Sequence, residues 1–358
     1  MAKKVILEAG RTFSEFSLLT DYTSKNCNLN SINLKSNLGP LSLGIPFLSA
    51  AMTSVTGYEM ALALGKEGGL GVLPARLSVK EQVDIINKIK GYEMGFVEDP
   101  VSVRDNATID EAVRLVEKHG HSKIPVTDRN NVFLGLFNFD KYLESNETPA
   151  ENVLSIMTSV KDLPHTKNSE ITVRQAKKEL EENNYLIVLD DLGRLVKIAF
   201  KKDVENIVVG AAISTHKGWK KRVKACDEAG ADIFVIDTSD AYNEFTSKVL
   251  KDYAKLKLDK PICAGNVITY EGAKFLMESG ADVIKVGMSS GSICTTQREK
   301  ATGRAPMTAL MEVERARADY LKESGKYVSI VIDGGVSDAG SMIIALSIAD
   351  AVMMGGYF

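Results

Sequence analysis

The sequence predicts an α/β protein built on a (β/α)8 TIM barrel, with a smaller α+β domain inserted in one of its loops. Three observations predict it. From residue 207 onward, short apolar runs alternate six times with helical stretches; two more β–α units lie near the N-terminus; and residues 93–206 between them have a different texture with a weak internal repeat. Six strands alone fit either a doubly wound sheet or most of a barrel, and the N-terminal units bring the count to eight. The barrel is therefore assigned to residues 1–92 and 207–358, and the inserted domain to 93–206.

Taken in order, "LGIPFLSAAM" (43–52) and "GLGVLPA" (69–75) read as the first two strands, each followed by a helix, "GYEMALALGKEGG" (57–69) and "VKEQVDIINKIK" (79–90). Segments 100–143 and 152–207 each read strand, helix, strand, strand, helix, a repeat of about 55 residues. The remaining strands are "IVVGAAI" (207–213), "DIFVIDTS" (232–239), "PICAGNV" (261–267), "DVIKVGM" (282–288), "VSIVIDGG" (328–335) and "DAVMMGG" (350–356). Each is apolar enough to be covered on both faces, as parallel strands are. Helices are expected over 217–229, 244–256, 270–278, 305–323 and 339–348.

Composition narrows the function. The chain has 358 residues, 44% hydrophobic and 25% charged, with a net charge of −3. That is globular, without the basic excess that a nucleic-acid partner requires. No apolar run is long enough to span a bilayer and the N-terminus lacks a signal-peptide core, so a cytoplasmic protein with no membrane partner is expected. The four cysteines, Cys27, Cys226, Cys263 and Cys294, form no Cys-x-x-Cys pair, and His119, His121, His165 and His216 have no metal-ligand spacing. Cys226 in a helical pattern and Cys263 in a strand read as buried small hydrophobes.

Barrel chemistry gathers at the carboxyl ends of the strands. Those ends carry Ser49–Met52, Asp237-Thr238-Ser239, Gly265-Asn266, the loop 287–294, Asp333-Gly334-Gly335 and Gly355-Gly356. The glycine pairs ending strands seven and eight read either as a phosphate cradle or as plain turns. Asp333 beside them is either an acceptor for ribose hydroxyls or the cap of the next helix. Cys294, in a loop rich in glycine and serine, reads either as a nucleophile or as an inert thiol. Lys285 interrupts an apolar strand, and Asp237 and Asn266 end theirs; separately each reads either as a helix cap or solvent-facing group or as a ligand contact, and together they suggest a polar ligand such as a nucleotide. The run "GKEGGLG" (65–71) is neither a Walker A motif nor a dinucleotide fingerprint.

Together, "RTFSEFSLLTDYTS" (11–24), "IPFLSAAMTSV" (45–55), "GAAISTH" (210–216), "VIDTS" (235–239), "AGNVIT" (264–269), "VGMSSGSICTTQ" (286–297), "TGRAPMTAL" (302–310), "VIDGGV" (331–336) and "AVMMGG" (351–356) resemble the IMP dehydrogenase family, with its sister GMP reductase, over nearly the whole chain. The inserted repeat, most clearly "GHSKIPVTD" (120–128), resembles the tandem CBS (Bateman) pair of these enzymes. The resemblance implies oxidation of IMP to XMP with NAD: Cys294 attacks carbon 2 of the hypoxanthine, hydride passes to NAD, and water hydrolyses the thioimidate, with Thr296 touching that water. Met52, Ser292, Gly334, Gly335, Gly355 and Gly356 would hold IMP and its phosphate, with Asp333 on the ribose diol. Asp237, Thr238, Ser239, Asn266, Lys285 and Gly287 would meet the NAD ribose and nicotinamide, and Thr215 and His216 the adenine. Main-chain carbonyls of Ser289, Gly291 and Cys294 would hold a potassium ion. A homotetramer or octamer is implied, with purine nucleotide at the CBS pair.

The sequence also departs from the family. Thr53 follows Met52 where the family often has aspartate, Gly356 stands at a frequent serine, and Asn138 and Phe200 stand where ribose-contacting CBS motifs carry Ser or Thr. The family's last barrel helix and its flap, whose arginine and tyrosine activate water, would follow Phe358. Either further sequence or another segment supplies these parts, or, if nothing follows Phe358, the thioimidate is expected to form slowly, if at all, and not to turn over. GMP reductase and a catalytically impaired nucleotide-binding protein are the rival readings.

Overall fold

The computed structural model describes residues 9–22, 32–92, 96–119, 122–200, 207–288, 299 and 301–358. The chain divides into two compact units, Met1–Gly91 with Ile207–Phe358, and Tyr92–Asn206.

The first unit opens with a hairpin, β1 (Ser36–Leu38) and β2 (Leu41–Leu43), and continues with β3 (Phe47–Ser49), α1 (Tyr58–Lys66), β4 (Leu70–Leu73) and α2 (Val79–Lys90). After the second unit, which holds β5 to β12 and α3 to α5, come β13 (Val209–Ile213), α6 (Trp219–Glu228), β14 (Ile233–Asp237), α7 (Glu244–Ala254), β15 (Ile262–Val267) and α8 (Tyr270–Glu278). β16 (Val283–Val286), α9 (Pro306–Ser324), β17 (Ser329–Asp333), α10 (Ala339–Leu346) and β18 (Ala351–Met354) complete it. The expected eight strands close into a barrel in the order β13-β14-β15-β16-β17-β18-β3-β4, with every neighbouring pair parallel. All carboxyl ends therefore share one rim.

Short polar side chains start the helices that leave this rim. Ser78 and Glu81 form a reciprocal capping box on α2, while Asn243, Thr269 and Asp338 accept from the first turns of α7, α8 and α10. Inside the barrel, Leu48, Leu70, Val72, Ala212, Ile233, Val235, Cys263, Val283, Val331, Ala351 and Met353 make one buried cluster. Leu38 and Leu43 of the hairpin belong to it and are 0% and 1% exposed, each burial contributing about 1.5–3 kcal/mol. The hairpin precedes the first barrel strand and is held to the start of β17 by Gly39 N–H on Ser329 Oγ (3.1 Å) and Ser329 Oγ on Asn37 O (2.9 Å). It closes the end opposite the rim.

This corrects one expectation. Residues 43–52 were expected to form a single strand; instead Leu43 ends β2, the chain bends at residues 44–46, and only Phe47–Ser49 pair in the barrel. Pro46 has no N–H to give a ladder and breaks the apolar run into two elements.

The second unit is itself double. Its first half is β6 (Val103–Arg104), α3 (Ile109–His119), β7 (Lys123–Thr127), β8 (Phe133–Asn138) and α4 (Phe139–Leu143), and its second half β10 (His165–Thr166), α5 (Val173–Glu179), β11 (Tyr185–Leu189) and β12 (Leu195–Phe200). In each half the first pair is parallel and the second antiparallel. β9 (Thr158–Ser159) completes the first sheet, while β5 (Val97–Glu98), from before the first half, completes the second. The helix expected to close the second repeat falls on 201–206, outside the described residues.

Candidate active site

The rim collects most of the residues singled out in the sequence. Met52 follows β3, Thr215 and His216 follow β13, Asp237 ends β14 with Thr238 and Ser239 beyond it, Asn266 lies in β15, Gly287 follows β16, Asp333 ends β17, and Gly355 and Gly356 follow β18. Cys294, Thr296, Ser289, Gly291 and Ser292 lie outside the described residues. The ends of the segment that carries them are fixed: Met288 bridges to Arg304, whose N–H donates to Met288 O (3.3 Å) and whose guanidinium donates to Ile268 O (3.1 Å).

At the centre of the rim lies Lys285, 1% exposed. It alternates with Val283, so it points into the barrel above the apolar cluster. Its ammonium donates to Asp237 Oδ1 (2.9 Å), to Asp333 Oδ2 (2.6 Å) and to Asn266 Oδ1. These use all three of its hydrogens. The Asn266 amide also donates to Asp333 Oδ2 (3.0 Å) and Gly287 O (2.7 Å). Asn266 faces inward because the β15–β16 ladder shifts register between Gly265 and Val267, a bulge that re-aims the intervening side chain. Gly265, opposite Lys285, has no room for a side chain: a Cβ there would lie 2.4 Å from Lys285 Cβ and 2.6 Å from Lys285 O.

Burial by itself pushes the Lys285 ammonium toward its neutral form, but the charges of Asp333 and Asp237 and their hydrogen bonds more than offset it, so its pKa is raised. Because the folded value exceeds the unfolded one, on the alkaline side the stability contributed by protonated Lys285 is fully present up to about pH 10.4, the ordinary lysine value, and is lost as pH rises through the folded value. Lys285, expected to contact the cofactor, has no donor left for one and lies beneath the rim surface. The carboxylates are more open: the side chain of Asp237 is 35% exposed and that of Asp333 22%. Asp333 does not cap the next helix; Asp338 does.

The glycine turns differ from each other. Gly334 and Gly335 have φ of +84° and +79°, a left-handed backbone that favours glycine. The Gly334 amide reaches Met353 O at 3.3 Å, which ties the ends of β17 and β18 together. At Gly355 neither constraint holds, since a Cβ would meet Val55, Ala50 and Met52 at ordinary distances of 3.6–3.8 Å.

Two thiols are removed from the chemistry. Cys226 and Cys263 are buried, and burial pushes their pKa values up to about 11 and about 12. In native protein at pH 8, iodoacetamide should therefore leave both unmodified, with reactivity rising only as the pH nears 11. Peptide mapping by mass spectrometry checks this, and modification of either at the rate of a free thiol would refute it.

A parallel eight-stranded barrel that gathers carboxylates, a buried ammonium and glycine turns on the carboxyl rim is built as an α/β-barrel enzyme working at that rim. A family model described as IMP dehydrogenase / GMP reductase domain matches residues 10–358, and the chain belongs to that family of oxidoreductases. Among its relatives, inosine-5'-monophosphate dehydrogenase of Tritrichomonas foetus is 32% identical over 381 residues, spanning 98% of this chain and 75% of the relative. The enzyme of the same name from Aquifex aeolicus (strain VF5) is 32% identical over 371 residues, spanning 98% and 73%. A solved structure of GMP reductase from Trypanosoma brucei in complex with guanosine 5'-triphosphate superposes with a TM-score of 0.63 at 24% identity, covering 98% of this chain and 86% of that one. At that identity the likeness is one of fold.

Proposed function

We propose that this protein oxidises IMP to XMP with NAD, through a covalent bond between Cys294 and carbon 2 of the purine. The observation that carries this reading is the pair of partly open carboxylates, Asp237 and Asp333, set on either side of one buried ammonium, where two ribose-bearing ligands could each find an acceptor. On this reading Asp333 accepts from the IMP ribose diol. The turns at Gly335 and Gly355-Gly356 take its phosphate; at Gly355 the described neighbours lie at ordinary distances, which is compatible with close approach of a ligand. Met52, beside Gly355, lies against the substrate.

The residues on the Asp237 side fit NAD. Asp237 engages Lys285 through Oδ1, and its Oδ2 takes no part in that network, so it suits a ribose hydroxyl. Thr238 and Ser239 border it, and Thr215 with exposed His216 would border the adenine. NAD, when bound, supplies the hydride acceptor. Cys294 contributes the nucleophile, and Thr296 would orient the water that releases XMP. The carbonyls assigned to a potassium ion belong to residues 289–294, and the inserted unit would take purine nucleotide as a CBS pair. The dehydrogenase-named relatives support this direction of reaction, whereas the Gly355-Gly356 turn favours GMP reductase.

One assay separates them. Protein is mixed with IMP and NAD, or with GMP and NADPH, and the ultraviolet absorbance of the reduced cofactor is followed. A rise with IMP is expected. A fall with GMP would instead identify a reductase, and no change in either mixture would sink both.

A further inference from the structure

Among the described charged groups on the rim, Lys285 is 1% exposed and has every donor engaged, yet it touches both carboxylates assigned to ligands. Its three partners come from β14, β15 and β17, and Asp237 and Asp333 belong to opposite sides of the proposed site. An ammonium with every hydrogen committed to fixed acceptors has one orientation. Each carboxylate that accepts from it is thereby held as well, with one oxygen anchored.

The surroundings leave no substitute. Below Lys285 the same face of the barrel carries Cys263, a thiol pushed up to about 12 by burial, and the apolar side chains of Val235, Val283 and Val331. Among the described residues, the groups facing the ammonium are thus Asp237, Asp333, Asn266 and Cys263, and none of these is a second cation. Without Lys285, two carboxylates would face one another across a partly buried gap, a like-charge arrangement that is unfavourable in a medium of low dielectric constant.

We propose that Lys285 is a positioning residue shared by two ligand sites: its single ammonium fixes the direction of Asp237 toward the cofactor and of Asp333 toward the substrate, so one side chain sets the affinity of both. This rests on the functional reading above. It differs from a role in folding alone, which would lower stability without moving both affinities, and from a role on one side, which would move a single affinity.

The test uses the full chain and isothermal titration with IMP and with NAD separately. Lys285→Met should weaken each ligand by about ten- to a hundredfold, the range expected when charge-assisted contacts lose their geometry. Lys285→Arg, which retains the cation, should recover most of both, whereas Asp237→Asn should weaken NAD alone and Asp333→Asn IMP alone. Unchanged binding of both ligands to Lys285→Met, or loss of only one, would overturn the inference while leaving the functional reading intact. Failure of the wild-type chain to bind IMP would overturn the reading and the inference with it. If Lys285→Met does not fold, the wild-type protein decides: the slowly exchanging Lys285 Nζ resonance, followed by 1H–15N NMR, should shift with IMP alone and again with NAD alone. A resonance that responds to neither, or to one only, rejects the proposal.

Discussion

Replacing Cys294 with alanine should abolish the appearance of reduced cofactor from IMP and NAD, a loss of at least about 10^3-fold in kcat, as for other enzymes stripped of their nucleophile. Of the three other cysteines, Cys27 lies outside the described residues and burial removes the remaining two. Cys226 and Cys263 are sealed from solvent with raised pKa values, so neither can attack in its stead. Cys294 lies on the segment that leaves the rim directly after β16, and the ends of that segment are paired at Met288 and Arg304. In the wild type, quenching with acid during turnover should trap the purine nucleotide on the peptide spanning 286–297. In Cys294→Ala that adduct should be missing, while equilibrium binding of IMP should persist, because the carboxylates and glycine turns remain. Turnover above roughly a tenth of wild type would show that another group carries the chemistry.

Gly265→Ala should destabilise the barrel by at least about 3 kcal/mol, near the upper end of what overpacking costs. The added methyl would sit 2.4 Å from Lys285 Cβ and 2.6 Å from Lys285 O, neither of them the mobile end of a side chain. The only relief is to move β15 away from β16, along the ladder that holds Lys285 and Asn266 in register. Differential scanning calorimetry should show a fall of roughly 6–12 °C in Tm for a domain of this size. Activity in surviving protein should drop too, because the ammonium is displaced from Asp237 and Asp333. An unchanged Tm would mean the two strands are not packed as described.

Much of this was legible in the sequence, for identifiable reasons. The barrel strands read clearly because both faces of each are covered, so their apolar runs are unbroken; even the helix bounds 270–278 and 79–90 coincide with α8 and α2. The β1–β2 hairpin was not legible. A run such as "LSLGIPFLSAAM" (41–52) looks the same whether it is one strand or a strand after a hairpin, and only the ladders to β1 and β18 distinguish them. Lys285 was conspicuous as a charge in an apolar strand, but its meaning was hidden, because its two acidic partners are each 48 residues away in the chain. The inward turn of Asn266 depends on a register shift against a neighbouring strand, which no local pattern encodes. Asp333 could be read two ways until Asp338 was seen to cap α10.

The link from α2 to β13 shows how such a chain could have acquired its second unit. Lys90, the last residue of α2, donates to Ile207 O (2.7 Å) and pairs with Asp232 (2.7 Å), so the points where the chain departs and returns are stapled side by side. That junction runs from the end of a helix to the start of a strand, on the barrel face where loops serve stability and not chemistry. An ordinary helix-to-strand turn would bridge it. To the barrel, residues 92–206 are therefore a parenthesis in the chain: a passage that evolution could lengthen, exchange or delete while the order of the eight strands, and the side chains they present at the rim, stayed as they were.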